Sequence, residues 1–258
     1  MSLGTSTCEG ERDDRVSARM CFSVVSHNQF FLVKDLLQDF DRCYGIDFEV
    51  IVTLNVSSGD EKFDQYGFPL TVINNQRPIG FGENHNNACQ RTTAHYFVVV
   101  NPDIRLQSFD LSELTRPFVE ESLGIVAPIV KSESGDLEDS ARTYPTVRSL
   151  LMRRFSPHYD SVKLTSSEVS DIPWVAGMFM VFKTKRFRSI GGFDSKRFYM
   201  YMEDVDICRR ISKMGLRVVR VSTFEVRHLA RRASRRNLKH LWWHVSSLVR
   251  YSIKYSFK

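Results

Sequence analysis

The chain has 258 residues, of which 42% are hydrophobic, 26% charged and 12% aromatic. This composition supplies enough apolar material for one large domain and excludes a linker, a collagen-like chain or a low-complexity protein. No stretch approaches the roughly 18 uninterrupted apolar residues of a membrane span, and residues 1–19 lack the apolar core of a secretory signal. We therefore expect a disordered segment over residues 1–19 and a soluble, cytoplasmic protein.

The net charge of +6 is distributed unevenly along the chain. From Arg227 to the C-terminus there are nine Lys and Arg residues and no Asp or Glu, which leaves 27 basic against 30 acidic residues elsewhere. A basic tail on a body of net charge −3 indicates an anionic partner for the tail. It does not indicate a nucleic-acid-binding core, so no nucleic-acid partner is expected.

The first hundred residues alternate short apolar strands with helical patterns. Strands are predicted over 20–26, 48–54, 70–73 and 95–100, a helix follows the first of them with its apolar positions at Phe31, Val33, Leu36, Leu37 and Phe40, and a second helix is predicted from Gly82 to Ala94. This alternation is typical of βαβ units, which build a parallel sheet covered by helices on both faces. The predicted fold class is α/β, with a Rossmann-like, mostly parallel sheet.

The second half of the chain continues with strands predicted over 124–130, 174–182 and 216–221 and a helix over 204–214. The polar stretches 131–142 and 156–171 are predicted to be long loops near a site. A last, amphipathic helix is predicted from apolar residues that share one face. These residues are Leu238, Leu241, Trp242, Val245, Leu248 and Val249. We expect one domain over 20–230 and a basic, aromatic C-terminal helix over 231–258.

Asn101-Pro102-Asp103 directly follows the strand predicted at 95–100. Ligands of open α/β sheets bind outside the carboxyl ends of the strands, and a carboxylate there can hold a divalent cation against a diphosphate. A Pro-Asp turn explains the same residues, and the spacing alone favours that turn. His228, beyond the last predicted strand, becomes a candidate metal ligand only if the fold brings it to Asp103.

Glu203, Asp204 and Asp206 stand at the start of the helix predicted at 204–214. N-capping, the helix dipole and an ion pair between Asp206 and Arg210 account for such acidic residues structurally. Carboxylates crowded beside aromatic residues also acquire the raised pKa that a general base needs. The pattern alone supports both interpretations equally.

The segment Gly80–Asn87 reads GFGENHNN and precedes a predicted helix. It lacks the third glycine of the dinucleotide-binding fingerprint. Its glycines and side-chain amides can approach a nucleotide closely, whereas a capped helix with a tight lead-in turn explains them without a ligand.

Taken in chain order, these segments resemble the family 2 glycosyltransferases, and among them the rhamnosyltransferases of bacterial surface-polysaccharide (O-antigen) synthesis. The resemblance extends over about residues 20–255. It is carried by Val24–Asn28, Gly80–Asn86, Asn101–Asp103, Arg142–Pro145, Trp174–Gly177, Gly191–Asp194, Phe198–Asp206 and Val226–His228. It implies a GT-A fold and an inverting, single-displacement transfer from a nucleotide-diphosphate sugar.

The resemblance also implies roles for individual residues. Asp204 corresponds to the catalytic base, with Glu203 beside it, and Asp103 and His228 correspond to ligands of a Mg²⁺ or Mn²⁺ ion. Residues implied to line the acceptor site are Arg142, Trp174 and Gly177. Residues implied to bind the nucleotide sugar are Ser26, His27, Asn28, Asn55, Gly82, Asn86, Asn101 and Asp103.

One position departs from the family pattern. The second strand of these enzymes usually ends in an Asp-Asn pair whose Asp reads the pyrimidine base, and here the pair is Leu54-Asn55. The departure leaves the nucleotide open. It also admits a non-catalytic member with a degenerate donor site that binds a membrane or another anionic partner.

The resemblance implies transfer of L-rhamnose from dTDP-rhamnose to a lipid-linked saccharide. The same mechanism with UDP-galactofuranose, UDP-N-acetylglucosamine or GDP-mannose is the alternative. The basic, aromatic tail Arg231–Lys258 suits an anionic membrane surface, here the inner face of the cell membrane. It equally suits a helix packed on the body through Leu238, Leu241, Val245 and Leu248 with solvated charges. A homodimer is a further expectation.

Overall fold

The computed structural model describes residues 19–57, 59, 61–146, 162, 167–229 and 238–256. All of the N-terminal segment predicted to be disordered except Arg19 lies outside these residues. So do most of the predicted loop 156–171 and the arginine-rich stretch 231–236.

The described residues form eleven strands and six α-helices. The strands are β1 (Met20–His27), β2 (Phe48–Val56), β3 (Leu70–Asn74), β4 (Tyr96–Val100), β5 (Ile104–Leu106), β6 (Leu123–Ser132), β7 (Ala141–Arg142), β8 (Val169–Asp171), β9 (Trp174–Val175), β10 (Phe179–Lys183) and β11 (Arg217–His228). The helices are α1 (Phe30–Phe40), α2 (Phe81–Cys89), α3 (Ser112–Thr115), α4 (Thr184–Ser189), α5 (Glu203–Lys213) and α6 (Leu238–Ser256), and a 3₁₀ turn spans Arg116–Val119. None of the helices in these ranges is long and apolar enough to cross a membrane.

A single large sheet organises the molecule, with strand order β3-β2-β1-β4-β10-β6-β11-β5 and β8 paired with β11. Its first four strands are parallel, as the alternating pattern predicted. Beyond them β10 runs antiparallel to β4 and β6, whereas β6 and β11 are parallel to each other. Strands β7 and β9 form a separate two-stranded sheet.

The central strands are apolar on both faces because helices cover both. In β1, Phe22 and Val24 belong to the core cluster that contains the buried side of α1. Cys21 belongs to the opposite cluster, which contains buried residues of α2, α5 and α6. Alternate residues of a strand point to opposite faces, so a continuous apolar run satisfies both layers.

Helix α1 confirms the predicted helix but not the whole of its predicted apolar face. Val33, Leu36, Leu37 and Phe40 are buried, as expected. The assignment of Phe31 to that face is wrong, because its side chain is 81% exposed. At 3.6 residues per turn, Phe31 lies about 200° around the helix from Val33 and therefore faces solvent.

Two predicted boundaries are corrected by local hydrogen bonds. Helix α2 ends at Cys89 rather than Ala94, since the Thr92 hydroxyl turns the chain towards β4 by accepting from the Ala94 amide at 3.0 Å. The strand predicted at 174–182 is divided into β9 and β10. Between them the Ala176 amide donates to the Ser140 carbonyl at 2.8 Å, which takes the chain out of the sheet.

The C-terminal helix is confirmed, but only part of the face predicted to pack on the body does so. Leu248 packs against the core as predicted, and the side chain of Leu238 lies outside the described residues. Leu241 and Val245 are 60% and 47% exposed. The buried residues are instead Ser247, Tyr251 and Tyr255, whose hydroxyl groups bond to the body. Polar and aromatic residues occupy this face because the surface beneath them offers a carbonyl group, a guanidinium group and a carboxylate.

Candidate active site

Helix α5 begins with two adjacent carboxylates, the buried Glu203 and the partly buried Asp204. One oxygen of Asp204 accepts from the Gly177 amide at 3.1 Å and the other from the Val205 amide at 2.8 Å. Glu203 is buried, and its Oε2 atom has no hydrogen-bond partner among the described residues. Burial raises the pKa of both carboxyl groups, and the charge of Asp204 raises the pKa of Glu203 further. The sequence predicted this direction from crowding, but burial is the larger cause.

The backbone that leads into α5 is strained. Tyr201 and Met202 have φ angles of 70° and 67°, a left-handed conformation that side-chain-bearing residues adopt at a cost of about 1–3 kcal/mol each. The Ser247 hydroxyl of α6 donates to the Met200 carbonyl at 2.8 Å, and the Tyr201 hydroxyl bonds with His240 at 2.9 Å. Helix α6 thus holds the strained turn from outside.

The three residues predicted to line the acceptor site lie on the small sheet of β7 and β9 or directly after it. Arg142 and Trp174 are paired across these strands, and the Trp174 indole donates to the Thr143 carbonyl at 2.8 Å. Gly177 follows β9, and its amide donates to Asp204. A Cβ atom at Gly177 would lie 3.3 Å from the Phe81 ring and 3.5 Å from the Asp204 Cβ atom, so glycine lets both side chains pack close to the backbone here.

Asp103 and His228, 125 residues apart in sequence, are brought together by the pairing of β5 with β11. The Asp103 Oδ2 atom lies 3.2 Å from His228 Nε2, and Glu138 Oε2 lies 2.7 Å from His228 Nδ1. Burial lowers the pKa of His228, but the two carboxylates outweigh it and raise the pKa to about 10. Sequence reasoning missed Glu138, whose only signal was its place in the predicted loop 131–142.

The residues at this point fit a divalent cation bound together with a diphosphate. The Asp103 Oδ1 atom is buried and has no hydrogen-bond partner in the described part of the chain, so its lone pairs are free to bind a cation. Within the same residues no group of three His, Cys, Asp or Glu side chains is arranged to hold a metal alone. Mg²⁺ is commonly held by one or two carboxylates and completed by substrate phosphates. Glu138 stands where a carboxylate orients a ligating histidine.

The turn Asn101–Asp103 and the Asp204 carboxylate are connected through two consecutive residues, Gly177 and Met178. The amide of Asn101, at the end of β4, donates to the Met178 carbonyl at 2.9 Å. The preceding residue, Gly177, donates to Asp204. The turn that carries Asp103 is therefore tied to the loop that holds the candidate base.

The end of β1 supplies the next part of the predicted donor site. The Ser26 hydroxyl is buried and accepts from the Gln29 amide at 3.2 Å, and Asn28 has a left-handed φ of 58°. His27 is exposed as a residue, but partial desolvation of its ring, followed by the charges of His240 and Lys239, lowers its pKa. The first turn of α6 therefore lies near the end of β1.

Asn55 is engaged by its own protein neighbours. Its Oδ1 atom accepts from the Ile79 amide and from Asn75 Nδ2, each at 2.9 Å. Its Nδ2 atom donates to the Ile79 carbonyl at 3.0 Å and lies 3.4 Å from His27 Nδ1. An amide has two donors and one oxygen with two lone pairs, so these contacts occupy it. The structure uses Asn55 to position the loop before α2, and its contact with a base stays a prediction.

Gly82 and Asn86 both contact Phe193. A Cβ atom at Gly82 would lie 2.5 Å from the Phe193 Cβ, so α2 packs here only through glycine. Asn86 accepts from the Phe193 amide at 2.9 Å and donates to its carbonyl at 2.8 Å. Both residues have packing roles, and their contact with the donor stays a prediction.

Residues 36–245 match the family model described as "Glycosyltransferase like family 2". The chain belongs to this family. Rhamnosyltransferase WbbL of Escherichia coli (strain K12) is 30% identical over 186 residues, which are 67% of this chain and 69% of that protein. N-acetylglucosaminyl-diphospho-decaprenol L-rhamnosyltransferase of Mycobacterium tuberculosis is 28% identical over 177 residues, and the match covers 64% of this chain and 57% of that protein.

Solved structures agree with the fold. A structure of GalNAc-T7 with UDP, GalNAc and Mn²⁺ superposes with a TM-score of 0.64 at 15% identity, over 84% of this chain and 45% of that one. Mannosyltransferase PcManGT from Pyrobaculum calidifontis, in complex with GDP-Man and Mn²⁺, gives 0.58 at 16% identity, over 92% and 65% of the two chains. The predicted GT-A fold, the predicted family and its enzyme class, glycosyltransferase, are thereby confirmed.

Proposed function

We propose that the protein transfers one sugar, with inversion at the anomeric carbon, from a nucleotide-diphosphate sugar to a saccharide hydroxyl group. The observation that carries this proposal is the link from the turn Asn101–Asp103 to Asp204, in which Asn101 bonds to Met178 and Gly177 bonds to Asp204. A proposed cation ligand and a proposed base held by connected segments match the two ends of the reaction, where a diphosphate leaves and a hydroxyl group attacks.

Asp204 is the proposed base. As the acceptor oxygen attacks the anomeric carbon and the bond to the diphosphate breaks, the hydroxyl proton moves to the Asp204 carboxylate. Burial raises the pKa of Asp204, which makes the carboxylate a better proton acceptor than an exposed one. The Gly177 amide orients the carboxylate, and Glu203 is buried beside it.

Asp103 and His228 are the proposed protein ligands of Mg²⁺ or Mn²⁺, and Glu138 orients His228. Such a cation, when bound, neutralises the charge that develops on the departing diphosphate. The unpartnered Asp103 Oδ1 atom supports this assignment, as do the two structural neighbours that were solved with Mn²⁺.

The proposed donor is dTDP-L-rhamnose and the proposed acceptor a lipid-linked saccharide of polysaccharide synthesis. Both rest on the names of the two rhamnosyltransferase relatives, one of which acts on a diphospho-decaprenol. A UDP- or GDP-sugar is the alternative, because Leu54 stands where the family places a base-reading Asp. We place the enzyme in the cytoplasm at the inner face of the membrane. The contact between Asp103 and His228 and the hydrogen bond that holds Asp204 argue against a non-catalytic role.

The decisive experiment is calorimetric titration with dTDP-L-rhamnose, UDP-galactofuranose, UDP-N-acetylglucosamine and GDP-mannose, each with and without Mn²⁺. We expect one nucleotide sugar to bind only with the metal, and Asp103→Asn to abolish that dependence. Asp194→Asn, a carboxylate away from the proposed site, is the matched control and should bind like the wild type. Absence of binding for every donor at millimolar concentration would favour the non-catalytic alternative.

A further inference from the structure

One face of α6 exposes five large apolar side chains. Their exposed fractions are 60% for Leu241, 69% for Trp242, 47% for Val245, 51% for Val249 and 61% for Ile253. At 100° per residue they fall within about 120° of the helix circumference and form one stripe. We call these five residues the apolar stripe. Contiguous exposure of this kind marks an interaction surface, whereas single exposed apolar residues are ordinary.

The apolar stripe cannot be buried by rotation of the helix, because the opposite face is bonded to the body. Tyr255 donates to Asp206 at 2.8 Å and Lys254 pairs with the same carboxylate at 2.6 Å. Tyr251 accepts from Arg209 at 2.9 Å. Asp206 is completely buried, so this attachment is part of the core. The stripe therefore has a fixed outward orientation.

The charge of the C-terminal sequence indicates which partner the apolar stripe binds. From Leu229 to the C-terminus the sequence holds eight Lys and Arg residues and no Asp or Glu, and four of these are the arginines between 231 and 236, directly before α6. A second copy of this chain would place two such basic helices against each other in a two-fold interface, where like charges repel. An anionic lipid surface attracts the basic segment and accepts the apolar side chains, and Trp is favoured at the boundary between the two phases.

We infer that the apolar stripe of α6 docks this enzyme on an anionic membrane surface and holds the active site beside it. The face of α6 opposite the stripe contacts Met200, Tyr201 and Asp206, which flank the proposed base Asp204. A helix with its side chains is about 10–12 Å thick, so the base helix lies roughly one helix diameter from the docked surface. This placement suits an acceptor whose saccharide is linked to a lipid, and that part of the inference rests on the proposed function. The docking of α6 on the membrane does not depend on the proposed function.

Docking is tested by co-sedimentation with vesicles of equal parts phosphatidylcholine and phosphatidylglycerol, at low and near-physiological salt. We expect the wild type to bind these vesicles more tightly than pure phosphatidylcholine, with an affinity that falls as salt rises. Val249→Ser combined with Ile253→Ser, both on the exposed stripe, should weaken binding at least tenfold. The matched control is Phe31→Ser with Val119→Ser, which removes two even more exposed apolar residues elsewhere and should leave binding unchanged.

Trp242 provides a second readout that does not depend on stability. Its emission should shift to the blue and be quenched by brominated lipids, and Trp242→Phe should remove most of that quenching. Trp243 packs against Tyr199 with ring centroids 5.0 Å apart, so Trp243→Phe should retain it. Equal vesicle binding by the wild type and the stripe double variant would overturn the inference. A lipid-free dimer that the double variant dissociates would assign the stripe to self-association instead.

Activity separates this inference from the proposed function. The stripe double variant should transfer sugar to a water-soluble acceptor as fast as the wild type, but more slowly to an acceptor embedded in the anionic vesicles. If the wild type transfers sugar to neither acceptor yet binds the vesicles through the stripe, the proposed function fails and the docking stands. If both acceptors react equally fast with both proteins, vesicle docking has no part in catalysis and the placement of the active site is wrong.

Discussion

Asp206→Asn tests whether one buried carboxylate fastens the C-terminal helix to the helix that carries the proposed base. Asp206 is fully buried in α5 and accepts from Arg210 at 2.8 Å, Lys254 at 2.6 Å and Tyr255 at 2.8 Å. Asparagine preserves the shape and the bond from Tyr255. It leaves the two cations facing a neutral group, and one of its own amide hydrogens points at a positive charge.

Removal of one partner from a buried ion pair costs about 3–5 kcal/mol. The lower end of this range applies here, because Lys254 keeps a second carboxylate, Asp194, at 2.8 Å. We therefore expect Asp206→Asn to lower the free energy of unfolding by about 3 kcal/mol, which corresponds to a fall in Tm of roughly 6–12 °C for a domain of this size.

Urea denaturation, followed by the fluorescence of Trp242 and Trp243 on α6, measures this loss. The matched control is Asp194→Asn, which removes the other, partly exposed partner of Lys254 and should cost less than about 1 kcal/mol. Adding Lys254→Met to Asp206→Asn should recover part of the stability, since it removes one of the two cations that face the neutral amide. The reasoning is refuted if Asp206→Asn costs no more than Asp194→Asn.

Asp204→Asn should lower kcat by about 10²- to 10⁴-fold while calorimetric donor affinity stays unchanged, and near-normal turnover would exclude Asp204 as the base. Because burial raises the pKa of Asp204, kcat should fall with decreasing pH over a range above the ordinary Asp value of about 3.9; an acid limb at that ordinary value would contradict the assignment. Burial lowers the pKa of His85 to about 3. As the pH falls below about 6.5, His85 is therefore protonated in the unfolded chain but not in the folded protein. The free energy of unfolding should drop by about 2 kcal/mol between pH 6.5 and 5 for this reason. His85→Gln should remove that part of the slope in urea denaturation, and an unchanged slope would show that other groups cause it. Gly82→Ala should cost about 1–3 kcal/mol by forcing α2 away from Phe193, whereas Gly67→Ala, whose Cβ atom would meet nothing closer than 3.5 Å, should cost little in the same measurement.

The parallel half of the sheet was predictable because its signal is local. Strands β1, β2 and β4 are short apolar runs, and their alternate residues point to the two faces of the sheet that helices cover. The chain between these strands has helical periodicity or turn residues. The place of β10 between β4 and β6 was not predictable. Pairing of strands that are distant in sequence depends on long-range contacts, which no local pattern encodes.

The candidate site was predictable in part. The resemblance implied that Asp103 and His228 belong together, yet only the pairing of β5 with β11 sets their 3.2 Å separation. Glu138 carries no motif and reaches His228 from a loop. Asn55 matches a donor-site position by sequence, but the fold uses its amide to hold Ile79, because a side chain bonds to whatever the tertiary structure brings to it.

The C-terminal helix separates most clearly what the sequence alone determines from what depends on the tertiary structure. By itself the sequence determined that residues from Leu238 onward form an amphipathic helix and that the preceding arginines have no nearby acidic residues. Both are properties of composition and of a 3.6-residue period. Only the tertiary structure decided which face turns inward. The bonds from Ser247, Tyr251 and Tyr255 to the body outweigh the burial of Leu241 and Val245, because buried polar groups on the body require partners that apolar side chains cannot supply.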